Sequence, residues 1–248
     1  MGCRRKTRPG RLAALDQLLL TLERPLLQEQ AGAWAGAPVV DLGLGARPWT
    51  TLEWAAVLRP LGVDVVGVDH AQELVERARA DHATDGVRYE VGGFDLPVGG
   101  VRLVRAMNVL RDFSPDEVVP AHERMGRSLL DGGLLVEGSC GPEGEVGCAH
   151  LVRRVRGEMV REGVLMWLDG ARGTAPLLFR DRLPRDLRAP SSTHPLRATL
   201  LEWMSRYRAT PAGGGRLAAA AVGVEGIEML PAPPGVLAAV WRPDPRVS

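Results

Sequence analysis

Two short apolar runs, each ending in turn chemistry, constrain this chain more than anything else in it. The first is Pro38-Val39-Val40-Asp41-Leu42-Gly43-Leu44-Gly45-Ala46-Arg47, and the second is Asp64-Val65-Val66-Gly67-Val68-Asp69-His70. Each reads as a buried strand that stops at a sheet edge. Between them Thr50-Thr51-Leu52-Glu53-Trp54-Ala55-Ala56-Val57-Leu58 has helical spacing. The three segments make a βαβ unit with a glycine turn after its first strand and a carboxylate at the end of its second. That layout grips a nucleoside at the carboxyl ends of parallel strands.

Two kinds of ligand share the layout, and charge separates them. A dinucleotide fold uses Gly-x-Gly-x-x-Gly, with a helix N-terminus aimed at a pyrophosphate. Here the third glycine position carries Pro48, and Asp41 precedes Gly43. A carboxylate repels a phosphate but suits a ligand with a cationic amino-acid end, directly or through water and backbone amides. The pattern therefore favours a nucleoside without phosphate, of which S-adenosylmethionine is the common one. Asp41, Gly43, Leu44 and Gly45 would form its loop, and Asp69 would accept hydrogen bonds from the ribose hydroxyls.

On these residues the chain resembles the class I S-adenosylmethionine-dependent methyltransferases. The resemblance covers residues 39–140 and rests on Val-Val-Asp-Leu-Gly-Leu-Gly, Val-Val-Gly-Val-Asp and Asp131-Gly132-Gly133-Leu134-Leu135-Val136-Glu137-Gly138. More narrowly, Arg105-Ala106-Met107-Asn108-Val109-Leu110-Arg111 and Val136-Glu137-Gly138-Ser139-Cys140 resemble a bacterial subgroup. One departure stands in the first loop, where the family often has a third glycine and this chain has Arg47-Pro48. The resemblance implies a Rossmann-like doubly wound α/β sheet, mostly parallel, of about seven strands. It also implies that Asp95, after the third strand, meets the adenine amino group. Asn108 would stand where methyl acceptors approach, holding the cofactor's ammonium or a substrate donor. His70 would stack beside the adenosine; a solvated loop histidine and a backbone-positioning asparagine are the plainer readings of these last two.

The whole chain fits an enzyme of this size. Its 248 residues suffice for one large domain, and a net charge of +1 gives no global field for nucleic acid or an anionic membrane. Three cysteines, Cys3, Cys140 and Cys148, make no disulfide framework, so a reducing cytoplasm is expected. No apolar run is long enough to span a bilayer. The start resembles an acylation signal, but Lys6 stands where Ser or Thr is needed, and no secretory apolar core follows.

The order of elements along the chain predicts residues 1–33 as a basic and helical arm and 34–248 as a single domain. The arm's leucines have helical spacing; it would cover the sheet or cap the cleft. Helices are expected over 50–58 and 71–80, and strands over 87–91, 101–109 and 134–137. Ser114-Pro115-Asp116-Glu117 reads as a capping box opening another helix. Residues 164–168 and 236–241 are strand-like, a helix is expected over 196–208, and residues 179–207 read as an insertion where a substrate lid would sit.

Other residues invite chemistry that their surroundings in the sequence do not support. Cys140 follows the fifth strand, but the fourth-strand loop lacks the partner that pyrimidine-carbon methylation through a covalent adduct requires, so an inert buried thiol is expected. Cys140, Cys148 and His150 match no structural zinc spacing, and no metal site is expected. Arg111 reads as an anion contact or a solvated loop charge. Arg153, Arg154, Arg156 and Arg161 would lie along a basic helix face, solvated or RNA-binding. The expected activity is methyl transfer to an unidentified acceptor, a small molecule ahead of RNA or protein. No catalytic residue and no oligomeric state is assigned. The rivals are an RNA methyltransferase and a non-catalytic methyltransferase-like binding or regulatory module.

Overall fold

In a computed structural model of the chain the described residues are 8–170, 175–188, 193–213 and 215–243. The two apolar runs become β1 (Val39–Leu42) and β2 (Val65–Asp69), every residue of which is buried. Strands covered on both faces need no polar alternation, and these have almost none. They pair in parallel, with Asp41 opposite Gly67. β3 (Val87–Val91) adds to β2, and β4 (Val101–Met107) to β1, both in parallel. β5 (Leu129–Cys140) extends the parallel set beyond β4.

Beyond β5 the sheet turns antiparallel. β6 (Val146–Val155), β7 (Glu158–Asp169), β8 (Ile227–Leu230) and β9 (Val236–Trp241) complete the order β3-β2-β1-β4-β5-β6-β7-β9-β8. The sheet thus has nine strands where about seven were expected from the α/β pattern. The added strands are β8 and β6; β6 forms a long hairpin with β7 over 146–169, which includes three of the arginines expected on a helix face. The fourth, Arg156, makes its turn with φ +52°. Gly, Cys, Ala and His interrupt the apolar pattern in β6, and cross-strand pairing holds it in place of side-chain periodicity.

Helices cover both faces. α1 (Ala13–Leu22) and α2 (Arg24–Gln28) form the arm, broken at Glu23 just before Pro25. With α3 (Trp49–Leu58) they bury Leu15, Leu18, Leu19, Trp54 and Leu58 against one face of the sheet. On the other face α5 (Val118–Gly126) packs over the parallel half, where Val118, Ala121 and Met125 meet β1, β2 and β4. α7 (Pro195–Ala209) and α8 (Arg216–Ala221) pack over the antiparallel half through Leu196, Trp203 and Leu217. α4 (Gln72–Asp81) closes the outer edge with Val75 and Ala78 against Tyr89. The capping box at Ser114 and Glu117 is present and opens a 3₁₀ turn that leads into α5.

Two buried arginines of β4 anchor the arm. Arg102 donates to the carbonyls of Leu26, Leu27, Glu29, Trp34 and Ala37, gathering the end of the arm beneath the sheet. Arg105 reaches α1 at Asp16. A guanidinium with no access to water must have its donors satisfied, and here they are satisfied by the arm and the first loop. No helix among the described residues is long and apolar enough to cross a membrane.

Candidate nucleoside-binding site

At the carboxyl ends of β1, β2 and β4 lies a cavity of about 610 Å³. Ligand pockets in α/β sheets form here because the chain crosses to opposite faces on either side of β1 and leaves a crevice. Leu42, Gly43, Gly45 and Ala46 form one wall, and Asp69, His70 and Leu74 the next. Gly92, Gly93 and Phe94 follow β3, and Met107, Asn108, Val109 and Phe113 follow β4. Gly43 has φ +95°, and a Cβ there would come within 3.1 Å of Val109 Cγ2 on the opposing wall. Glycine is thus needed both for the turn and for the approach of backbone to cavity.

Asp69 is held ready at the floor of that turn. One carboxylate oxygen accepts from the Gly45 N–H at 3.3 Å and the other from the Ala71 N–H at 3.0 Å. His70 lies 3.3 Å from it through Nδ1, with its ring in solvent. Two backbone bonds fix the carboxylate's orientation yet leave lone pairs for a ligand's hydroxyls.

Asp41 is engaged differently. Its Oδ2 accepts from the hydroxyls of Thr51 at 2.7 Å and Thr50 at 3.2 Å, and its Oδ1 from Arg105 Nε at 2.9 Å. It stands outside the main cavity and lines a small recess of about 30 Å³ beside it, with Arg11, Gly43 and Asn108. Arg105 also donates to Asp16 and to the Thr50 carbonyl, and lies 5.2 Å from the Trp54 ring centre. One guanidinium therefore faces two carboxylates in a dry setting. Burial pushes the Asp16 pKa up to about 7; Arg105 draws it down and Asp41 pushes it further up. Burial alone would lower the Arg105 pKa, and its two carboxylates outweigh that and raise it. Asp16 Oδ2 is buried without a hydrogen-bond partner.

The other sequence-chosen residues fall into three groups. His70 and Asn108 line the cavity with Gly43, Gly45 and Asp69. Leu44 points away, packed with Val75, Ala78 and Tyr89. Asp95 is exposed and outside the cavity wall, where Arg124 Nε donates to it at 3.0 Å. That hydrogen bond holds the Asp95 carboxyl below its usual range. Asn108 has φ +62°, a left-handed setting that asparagine tolerates better than most residues with a side chain. Its backbone N–H donates to Gly138, its Nδ2 lies 3.2 Å from Cys140 Sγ, and its Oδ1 accepts from the Cys140 N–H. The amide is thus a clamp between the ends of β4 and β5.

Arg11, Phe94, Phe113 and Arg124 line the cavity and were not among the residues selected from the sequence. Phe94 and Phe113 carry a signal of a kind, since aromatic residues are scarce in this chain and these two flank the third and fourth strands. Arg11 lies too far from the motifs to be linked to them by spacing. Cys140 and Cys148 sit on opposite faces of the sheet, in different apolar clusters. Burial pushes the Cys148 thiol well up. Among the described residues no group of three metal-ligating side chains converges. Three of the hairpin arginines are engaged internally: Arg153 with Glu23 and Glu162, Arg154 with the carbonyls of Gly126, Arg127 and Leu129, and Arg161 with Asp186.

No family model and no curated protein matches the sequence. Solved structures do. A geranyl diphosphate methyltransferase in complex with GPP and sinefungin is 24% identical, over 50% of this chain and 46% of that one, with a TM-score of 0.32. The O-methyltransferase NcsB1 from neocarzinostatin biosynthesis, bound to S-adenosylmethionine and a naphthoic acid, is 20% identical over 51% and 40% of the two chains, TM-score 0.36. The PH0226 protein from Pyrococcus horikoshii OT3 is 14% identical and covers 94% of this chain and 90% of its own, TM-score 0.39. This chain spans between 28% and 56% of the length of the first structures it matches.

Proposed function

We propose that the cavity binds S-adenosylmethionine and that the protein transfers its methyl group to a small-molecule acceptor. The observation that carries this reading is the seat a dinucleotide's phosphate would need. Next to the N-terminal turn of α3 the buried Asp41 carboxylate already accepts from Thr50 and Thr51, and Pro48 precedes the helix without a backbone N–H to offer. A pyrophosphate would find there neither a helix N–H from Pro48 nor a free cation, since Arg105 is taken up by Asp41, whereas a nucleoside without phosphate needs neither. The residues present fit such a ligand. Asp69 would take the ribose hydroxyls, the glycine turn would admit the ribose and tail against backbone, and Leu74, Phe94 and Val109 supply apolar wall for the base.

When bound, S-adenosylmethionine brings a methyl group already activated on sulfur. What remains for the chain is alignment and the exclusion of water, which suits a site without a built-in strong base. The Asn108 clamp fixes the ends of β4 and β5 beside the cavity. α6 (Arg185–Arg188) braces the same wall further on: Arg185 Nε donates to the Phe113 carbonyl at 2.6 Å, and Asp186 is tied to His150 at 2.9 Å. A small acceptor is favoured because three of the four hairpin arginines that could form a nucleic-acid face are held by carboxylates and carbonyls of the chain itself. The test is transfer of labelled methyl from S-adenosylmethionine into fractionated cell extract. Label in the small-molecule fraction, lost in Asp69→Ala, supports the reading. Label confined to RNA or protein refutes the acceptor class, and tight cofactor binding with no transfer to any fraction indicates a binding module instead.

A further inference from the structure

The walls of the cavity carry several charges; the exposed Asp112 has no partner among the described residues, and most of the others have one. Asp69 is held by two backbone N–H groups, Arg124 by Asp95, and Asp41 in the adjoining recess by Arg105 and two hydroxyls. Arg11 differs. It precedes α1, lines the cavity, the recess and a neighbouring hollow that also holds Glu143, Glu145 and Asp169, and forms no ion pair with a carboxylate among the described residues. Its Nε donates to the Gly141 carbonyl at 3.1 Å and its Nη2 lies 3.5 Å from the Cys140 carbonyl. These bonds fix the guanidinium at the end of β5 while Nη1 makes no bond to any described residue. Gly144 secures the approach, because a Cβ there would collide with the Arg11 carbonyl. A positioned cation without a counter-ion, on a partly enclosed wall, is a receptor for an anion, and the planar fork suits a carboxylate.

The order of strands says which end of a ligand it would meet. Asp69 and the Gly92–Gly93 turn belong to β2 and β3, on one side of β1. Arg11, Met107 and Asn108 gather over β4 and β5, on the other side. We infer that Arg11 binds the α-carboxylate of the amino-acid end of the cofactor, so that the arm completes the site. This rests on the S-adenosylmethionine reading of the cavity. It makes Arg11 a binding residue and leaves Asp41 to orient the glycine turn through Arg105 and the two threonines.

The test compares two ligands that share adenosine but differ in that carboxylate, S-adenosylhomocysteine and 5′-methylthioadenosine, by titration calorimetry. Arg11→Gln should weaken S-adenosylhomocysteine by about 10- to 100-fold, the range for loss of a charge-assisted bond, and 5′-methylthioadenosine by no more than about twofold. Arg11→Lys should recover part of the loss, since it keeps the charge without the fork. Equal weakening of both ligands would overturn the inference and make Arg11 a structural tie. Unchanged S-adenosylhomocysteine affinity would overturn it too, even where transfer to an anionic acceptor falls, since the guanidinium would then belong to the acceptor. If the unmodified protein binds neither ligand, the reading of the cavity itself fails, and this inference with it.

Discussion

Replacing Asp16 with asparagine isolates the buried charge cluster that ties the arm to the first loop. Asp16 is shut away from water and shares one guanidinium with Asp41, and burial raises its pKa to about 7. In the unfolded chain the same group titrates near 3.9, roughly the model-peptide value. The folded protein therefore holds an extra proton between about pH 4 and pH 7. Stability contributed by this group falls as pH rises through that window and levels off above it. Integrated from about pH 5 to about pH 8, the loss is about 2 to 3 kcal/mol. Asparagine keeps the shape and a hydrogen bond to Arg105 but cannot titrate. Urea unfolding of both proteins at the two pH values removes contributions from all other groups by difference. The wild type should lose about 2 kcal/mol more than Asp16→Asn on going to the higher pH. Parallel changes in the two proteins, or a wild type that gains relative to the variant as pH rises, would refute the proposed competition for Arg105.

Other perturbations have distinct signatures. Arg105→Met strands two buried carboxylates and the Thr50 carbonyl, and should cost about 3 to 5 kcal/mol in denaturant unfolding; a loss under about 1 kcal/mol would contradict a dry cluster. Gly43→Ala forces a side chain into φ +95° and against Val109, so a fall in Tm together with weakened nucleoside binding is expected, whereas unaltered binding would remove the turn from the site. Asp186→Asn weakens the tie between α6 and His150 and Arg161, and should speed proteolytic cleavage around α6 with little change in far-UV circular dichroism. Protection equal to the wild type would show that the brace has other supports.

The centre of the parallel half is legible because β1 and β2 are buried on both faces and end in glycine or aspartate chemistry. Val39-Val40-Asp41 and Val65–Asp69 leave few other readings. The antiparallel half is not legible in the same way. β6 reads Val-Gly-Cys-Ala-His-Leu-Val-Arg-Arg-Val, and its arginines look solvent-facing until Glu162, Glu23 and the carbonyls after α5 are brought to them by pairing. Gly138 is similar: it reads as a strand end, yet a side chain there would strike the Cys148 carbonyl of the next strand. In the site, Gly43, Gly45 and Asp69 are readable from local turn chemistry. The use of Asp41 is not, because its partner Arg105 is 64 residues away in sequence and is brought opposite it only by the pairing of β1 with β4. Arg11 is hidden for the same reason, since tertiary packing alone carries the arm to the end of β5.

The most direct test of the account is a side-by-side calorimetric titration of the unmodified protein with S-adenosylhomocysteine and with NAD, repeated on Asp69→Ala. Saturable binding of S-adenosylhomocysteine, absent or at least about 10-fold weaker in the variant, with no heat from NAD, is the expected result. Tight NAD binding, or S-adenosylhomocysteine affinity untouched by loss of the Asp69 carboxylate, would contradict a phosphate-free nucleoside site at the glycine turn.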